Sequence, residues 1–157
     1  MNEQNVVLES SARALGRLAS GLMLVSCGTK ETPQGFVASW IQQAAFSPLR
    51  ITMAIGRERT ALGILSRPEA PFSVSILDKD SSHLMKSFFK PDPFAAVRWE
   101  FQDPFIFLPE ALAVIYCRTV KTMEAGDHEI ILADVVNGNI LRDGTPLTHT
   151  RGTALNY

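Results

Sequence analysis

Hydrophobic and polar residues alternate over long stretches of this chain, and a period of two is typical of β-strands. The longest such run is Ala111–Met123. In Pro71–Leu77, serines separate Phe72, Val74 and Ile76, which predicts a strand buried on one face only. Further short apolar runs predict the remaining strands, at Leu22–Cys27, Gly35–Ala38, Arg50–Ile55, Glu129–Val136 and, last, Thr145–His149.

Three segments instead show the spacing of helices. Ser10 or Ser11 can cap a first helix whose apolar residues follow at three- and four-residue intervals up to Leu22, with Gly21 near its end. Thr60 can cap a short second helix through Leu65. A third apolar stripe begins at Leu84 and continues through Met85, Phe88 and Phe89, before Pro91.

Short polar segments separate the predicted strands. Gly28–Gly35 predicts a hairpin loop, and Glu124–His128 and Asn137–Asn139 predict turns. Ile41–Pro48 and Lys90–Leu108 show no regular period. Because strands outnumber helices and no β-α-β alternation occurs, we expect one mostly β domain, an antiparallel barrel or sandwich with two or three helices.

Composition narrows the possible functions. The chain has 157 residues, of which 46% are hydrophobic and 20% are charged. We expect the surplus of apolar surface to be covered in a dimer. A net charge of −1 gives no general attraction to nucleic acid or to an anionic membrane surface. No apolar run is long enough to cross a bilayer.

The two cysteines, Cys27 and Cys117, stand alone in apolar runs, so we expect reduced core residues rather than a zinc or redox site. The histidines are too far apart in the sequence to indicate a metal site. The first ten residues lack the basic segment and the following apolar segment of a secretion signal. A cytoplasmic location is the expectation.

One stretch, Gly35–Thr60, has a composition that suits ligand binding. It combines small residues and hydroxyls with three arginines, Arg50, Arg57 and Arg59, against the single acid Glu58. Guanidinium groups and backbone donors bind phosphate, and small side chains let a flat ring approach the backbone. The stretch therefore suits an aromatic ligand with a phosphate. The alternative is an ordinary strand, loop and strand with surface arginines.

His128 is the candidate for proton chemistry, because it follows Gly126 and Asp127 directly at a predicted strand entrance. It can donate a hydrogen bond or move a proton near neutral pH. The alternative is that Asp127 and His128 only stabilise the turn. No serine or cysteine nucleophile has a placed base, and no Walker or Rossmann glycine loop occurs.

Four segments in this order resemble the flavin reductase-like, FMN-binding split-barrel family: Ala14–Leu22, Val37–Leu49, Arg59 and Gly126–His128. Glu110 before Ala111–Ala113 is a weaker match. The nearest likeness is to the flavin reductase domain at the C-terminus of cyanobacterial diflavin proteins. The resemblance implies a six-stranded antiparallel split barrel with Greek-key character over residues 10–157, after an N-terminal extension of residues 1–9.

The resemblance also implies a homodimer that binds FMN near its interface and takes hydride from NADH or NADPH. The reduced flavin would serve an acceptor flavoprotein or an oxygenase. His128 would stand at the nicotinamide side. The residues implied for the flavin are Ala38, Ser39, Trp40 and Ile41 along the ring, Ala44, Ala45 and Phe46 along the ring and ribityl chain, and Arg59 and Thr60 at the phosphate with Arg57 nearby.

The chain departs from the family pattern at Ala45, where serine is common. The loss of one neutral hydrogen bond would weaken FMN binding by up to about tenfold. Two alternatives remain open: an FMN-binding electron-transfer protein that does not use NAD(P)H, and a split-barrel interaction protein that has lost its flavin site. A start at Met1 favours an independent chain over a piece of a longer diflavin protein.

Overall fold

The computed structural model of the protein describes residues 3–152. Within these residues three α-helices surround a predominantly β structure. The helices are α1 (Glu3–Leu15), α2 (Leu62–Leu65) and α3 (Met85–Phe88), and a 3-10 turn at Ser82–Leu84 precedes α3. The strands are β1 (Ser20–Gly21), β2 (Met23–Gly28), β3 (Pro33–Ala38), β4 (Ile41–Phe46), β5 (Leu49–Gly56), β6 (Pro71–Ile76), β7 (Glu100–Gln102), β8 (Phe105–Phe107), β9 (Ala113–Ala125), β10 (His128–Ile140) and β11 (Thr148–His149).

The main sheet is antiparallel and has the strand order β3-β2-β6-β9-β10-β5-β4. Its two edge strands, β3 and β4, are separated in the sequence only by Ser39 and Trp40. The three Cα–Cα steps from Ala38 to Ile41 span at most about 11 Å, so the sheet must curl until its edges approach each other at this link. The prediction of an antiparallel barrel with a few helices is confirmed.

The strand count differs from the expected six, since the main sheet has seven strands. Ile41–Phe46, which has no regular period, pairs with β5 as the edge strand β4. Its register shifts between Gln43 and Ala45, which marks a bulge at Ala44. A bulge inserts one unpaired residue, and this interrupts the period of two that identifies strands from sequence.

Strands β9 and β10 form a long hairpin with a turn at Gly126 and Asp127 alone, shorter than predicted. Gly126 has a φ of 68°, a backbone conformation that glycine adopts without strain. The prediction of a turn at Asn137–Asn139 is wrong, because these residues pair with Tyr116–Val114 inside β10. A register shift between Val135 and Asn137 explains the polar, glycine-containing sequence there.

Two apolar clusters cover the two faces of the sheet. The inner cluster contains Phe72 and Val74 of β6, while the outer one packs β2 against α3 and the β7–β8 hairpin. Ser73 and Ser75 are fully buried on the outer side, and Ser73 donates a hydrogen bond to the carbonyl of Ile106. The prediction that β6 is buried on one face only is therefore wrong.

The first helix lies earlier than predicted. α1 ends at Leu15, and Ser20–Gly21 pair with β11 instead of extending a helix. This pairing is a tertiary contact, and the spacing of residues along one segment does not reveal it. Thr60 is not a cap either, since the residue before α2 is Ala61 and no side chain caps that helix.

The division between residues 1–9 and 10–157 falls within α1 and stays a prediction; residues 1–2 and 153–157 lie outside the described part of the chain. Cys27 and Cys117 are buried as predicted, and burial raises the pKa of each thiol to about 12, so neither is a ready nucleophile. In the described range, 3–152, no helix combines the length and the apolar character that a bilayer crossing requires.

Candidate functional site

A cavity of about 420 Å³ opens where the two edges of the sheet meet. We call it the seam cavity. Its wall is built from six parts of the chain: Leu22 before β2, β3 with its link to β4, β5 with the following turn, α3 with Phe89 after it, the first residue of β10, and His149 of β11. The lining residues used below are Ala38, Ser39, Trp40, Ala54, Gly56, Glu58, Arg59, Met85, Phe89, His128 and His149.

Arg59 supplies the positive charge of the seam cavity. Its backbone N–H donates to the carbonyl of Gly56, which fixes the turn after β5. Its guanidinium lies 5.8 Å from the centre of the Phe36 ring and 3.7 Å from the carboxylate of Glu58. Glu58 is 75% exposed, and an exposed pair of this kind contributes little. An incoming anion can therefore replace Glu58 at the guanidinium.

His128 has a defined orientation at the same cavity. Its Nδ1 lies 2.7 Å from Oδ1 of Asp127, and its ring centre lies 5.0 Å from that of Trp40. The side chain is only 15% exposed. The hydrogen bond with His128 lowers the pKa of Asp127. Because a carboxylate at Nδ1 directs the other ring nitrogen away from it, this pair sets which edge of the imidazole faces the cavity.

Trp40 separates the seam cavity from a second cavity of about 490 Å³. The second cavity is lined by residues after α1, including Leu18 and Ser20, and by Arg151. The guanidinium of Arg151 lies 4.6 Å from the centre of the Trp40 ring, within the range of a cation–π contact. Trp40 is thus in contact with both a histidine and an arginine.

Five residues proposed from the sequence come together at the seam cavity: Ala38, Ser39, Trp40, Arg59 and His128. They come from three separate segments of the chain, and the approach of the sheet edges brings them to one place.

The other six proposed residues line neither of the two cavities. The Ile41 side chain is buried in the inner cluster, so only its backbone can reach a ligand. Arg57 forms an ion pair of 2.8 Å with Glu124. Thr60 is exposed near the turn, and three residues lie on the edge strand β4: Ala44, Ala45 and Phe46, the last 87% exposed.

The wall also contains residues that were not predicted as site residues, among them Glu58, Met85, Phe89 and His149. His149 lies there because β11 pairs with β1, in the register Ser20↔His149. Met85 and Phe89 were assigned to a helical core stripe, but only Leu84 and Phe88 of that stripe are buried. Met85 and Phe89 are four residues apart, and this spacing indicates that they lie on the same side of a helix.

The seam cavity fits a flat ring with a phosphate. Its volume is within the range of small-molecule sites, which are usually apolar with a few placed polar groups. Ala38, Ser39 and Ala54 are small, so a ring can approach the backbone. A Cβ on Gly56 would lie within 3 Å of the Glu58 carboxylate, so a larger residue there would displace this exposed side chain. One guanidinium, that of Arg59, is available to an anion.

The sequence matches the family model of the flavin reductase like domain over residues 15–156. It is 35% identical over 153 residues to diflavin flavoprotein A 3 of Synechocystis sp., covering 92% of this chain and 25% of that protein. It is 34% identical over 163 residues to diflavin flavoprotein A 6 of Nostoc sp., covering 98% of this chain and 28% of that protein. The chain spans about a quarter of the length of these curated relatives.

The fold has solved counterparts. NADH:FAD oxidoreductase SgcE6 of Streptomyces globisporus superposes with a TM-score of 0.82, covering 98% of this chain and 92% of that one, at 21% identity. At this identity the likeness shows the fold alone, and it agrees with the split-barrel expectation.

Proposed function

The chain belongs to the flavin reductase-like family, and on that premise we propose that it is an NAD(P)H:flavin oxidoreductase that transfers hydride to FMN. The observation that carries the proposal is the meeting of Arg59, the Ser39–Trp40 link and His128 around one cavity. A phosphate-binding group, a narrow apolar slot and a hydrogen-bonding imidazole are the elements that a flavin site needs. The solved neighbour from Streptomyces globisporus is described as an NADH:FAD oxidoreductase, which supports nicotinamide as the donor.

In this proposal Arg59 binds the FMN phosphate after Glu58 swings away, and Thr60 adds a hydroxyl donor beside it. An arginine–phosphate contact is charge-assisted and stronger than a neutral hydrogen bond. Arg57 stays with Glu124 and adds positive potential near the turn.

The remaining residues place the ring and the donor. Ala38, Ser39 and the backbone of Ile41 bind the ring edge, while Trp40 excludes water from one side. When bound, flavin supplies the hydride-accepting chemistry. His128, oriented by Asp127, donates a hydrogen bond on the nicotinamide side. No acid or base is required for hydride transfer itself.

We also propose a homodimer in which β4 lies at the interface. β4 is an edge strand; Phe46 at its end is 87% exposed, and Leu49 at the start of β5 is 52% exposed. In this proposal Ala44, Ala45 and Phe46 contact the flavin of the assembled dimer. Light scattering on the purified protein should give twice the 17.3 kDa of one chain; a monomer at micromolar concentration would contradict this arrangement.

The relatives described as diflavin flavoproteins suggest another flavoprotein as the final acceptor of the electrons. An oxygenase that consumes free reduced flavin is the second possibility. The two differ in whether flavin leaves the protein. Dialysis of the FMN-loaded protein separates them, since a retained flavin indicates a protein acceptor.

The test of the function uses the purified protein with FMN. Quenching of FMN fluorescence measures binding, and loss of the visible flavin absorbance without oxygen after addition of NADH or NADPH measures reduction. We expect both. Absence of FMN binding would refute the flavin site. Binding without oxidation of either nucleotide would refute the reductase and leave an electron-transfer protein.

A further inference from the structure

Helix α3 presents an unusual apolar side to the seam cavity. Phe89, directly after α3, lines the cavity and is 75% exposed. Met85, four residues earlier, lines the same cavity. The other side of this segment carries Leu84 and Phe88, also four residues apart, which are 1% and 4% exposed in the outer cluster. Leu84 and Phe88 therefore anchor the segment, Met85 is partly buried against the same cluster while it also lines the cavity, and Phe89 is exposed at the cavity.

The packing of Phe88 holds the backbone that carries Phe89. Phe88 packs against Gly35 of β3, where a Cβ would lie 2.5 Å from the Phe88 ring. Phe88 also makes an edge contact with Phe94, with ring centres 5.3 Å apart. Both rings are almost completely buried. An exposed phenylalanine held in place at a cavity mouth is suited to stack on a planar group.

Two lysines lie close to Phe89 in the sequence, at positions 86 and 90. Lys86 and Lys90 are exposed, and neither forms an ion pair with any other residue from 3 to 152. The acid that follows them, Asp92, accepts a hydrogen bond from the Phe94 N–H. A flat apolar ring with two unpaired ammonium groups matches an adenosine phosphate, because the ring stacks on the base and the lysines bind the phosphates.

We propose that this surface, the α3 platform (Met85, Lys86, Phe89 and Lys90), binds the adenosine phosphate half of the nicotinamide dinucleotide. The inference rests on the proposed function for its donor. A cavity of about 420 Å³ accommodates one nucleotide-sized ligand. With FMN inside, the second nucleotide reaches the ring only with its nicotinamide end. Its adenine end then lies outward at the mouth, where Phe89 stands.

The first experiment compares NADH with reduced nicotinamide mononucleotide, which has no adenosine half. Phe89→Ala should raise the KM for NADH about five- to tenfold, the effect of losing one base–aromatic stack. The KM for the mononucleotide and the Kd for FMN should stay unchanged. Phe89→Tyr should restore the NADH value. The matched control is Ile140→Ala, since Ile140 is 81% exposed on β10 and lines neither cavity.

The second experiment measures binding without turnover. Calorimetry with ADP should give a Kd for the wild-type chain that rises about tenfold in Phe89→Ala and in Lys86→Gln/Lys90→Gln, and the latter should lose most of its salt dependence. Lys30→Gln is the control for charge, because Lys30 lies in the turn before β3, at the opposite end of that strand from Ser39.

The outcomes separate the two proposals. Failure of FMN binding refutes the proposed function, while the ADP titration still decides the platform. If FMN binds and NADH reduces it, but Phe89→Ala raises neither the KM for NADH nor the Kd for ADP, the platform is refuted and the reductase stands. Equal increases in KM for NADH and for the mononucleotide would place Phe89 at the nicotinamide and also refute the adenosine assignment.

Discussion

Arg59 and Glu58 are neighbours in the sequence with opposite effects on an anion in the seam cavity. The guanidinium attracts a phosphate, and the carboxylate 3.7 Å away competes for it. Since both side chains are substantially exposed, the pair is weak and can exchange partners. Phe36 beneath the guanidinium limits where it can move. The net effect of this pair on flavin affinity depends on whether the ligand has a phosphate.

We predict that Arg59→Ala weakens FMN binding about ten- to a hundredfold, the loss of one charge-assisted contact, and changes riboflavin binding by less than about twofold. Riboflavin has no phosphate, so it reports the ring contacts alone. Fluorescence quenching by both ligands measures the difference. Arg98→Ala, at an exposed arginine paired with Glu100, is the control. Equal losses for the two flavins would show that Arg59 does not contact the phosphate.

Helix α3 has only four residues and no side-chain cap, so its position depends on packing. The contact between Phe88 and Gly35 sets the distance from α3 to β3. The Val25 carbonyl, 2.9 Å from a Cβ at Gly35, closes the opposite side. A larger residue at Gly35 therefore has no space, because one neighbour is backbone and the others are buried rings.

Gly35→Ala should lower the free energy of unfolding by about 1–3 kcal/mol, the usual cost of overpacking. Urea denaturation followed by tryptophan fluorescence measures it. Gly63→Ala in α2 is the matched control, since nothing lies within 4 Å of that position and alanine favours a helix. If Gly35→Ala is as stable as Gly63→Ala, α3 is not anchored as described, and Phe89 loses its fixed position.

A buried hydrogen-bond network connects the segment after β6 with the segment after β10. Arg142, after β10, donates a hydrogen bond to Asp78, after β6, and Asp78 also accepts from the backbone and side chain of Ser81. Burial alone would raise the pKa of Asp78, but the hydrogen bonds from Ser81 and Arg142 outweigh it and lower the pKa to about 2. This link holds the segment leading to β11 and His149.

Because the folded pKa of Asp78 lies below its ordinary value, its contribution to stability is present above about pH 4. It is lost as the pH falls towards 2. Asp78→Asn should therefore lower the urea midpoint at neutral pH, and its difference from the wild type should shrink at about pH 3. Asp143→Asn, at an exposed neighbouring carboxylate, serves as the control. A difference independent of pH would contradict the assigned role of the charge.

Much of the architecture follows from patterns among residues that are close together in the sequence. The strands β2, β3, β5, β6, β9 and β10 follow from apolar runs and alternation, and the segments that resemble the family contain Ser39, Trp40, Arg59 and His128, which line the seam cavity. Hydrophobic periodicity indicates which residues share a face of a strand or helix. The order of the motifs along the chain indicates the protein family. Both are properties of residues close together in sequence, which is why they could be predicted.

The features that were not predicted from the sequence depend on contacts between distant segments. β4 and the Asn137–Asn139 region are bulged strands whose pairing partners lie elsewhere, so the local pattern did not identify them. His149 reaches the seam cavity through pairing with Ser20, and Phe89 reaches it because Phe88 fits against Gly35. Residue types and spacing thus predicted most of the strands and the arginine that lines the cavity. Which side chains share one cavity was set by the curling of the sheet, because only closure brings its two edges together.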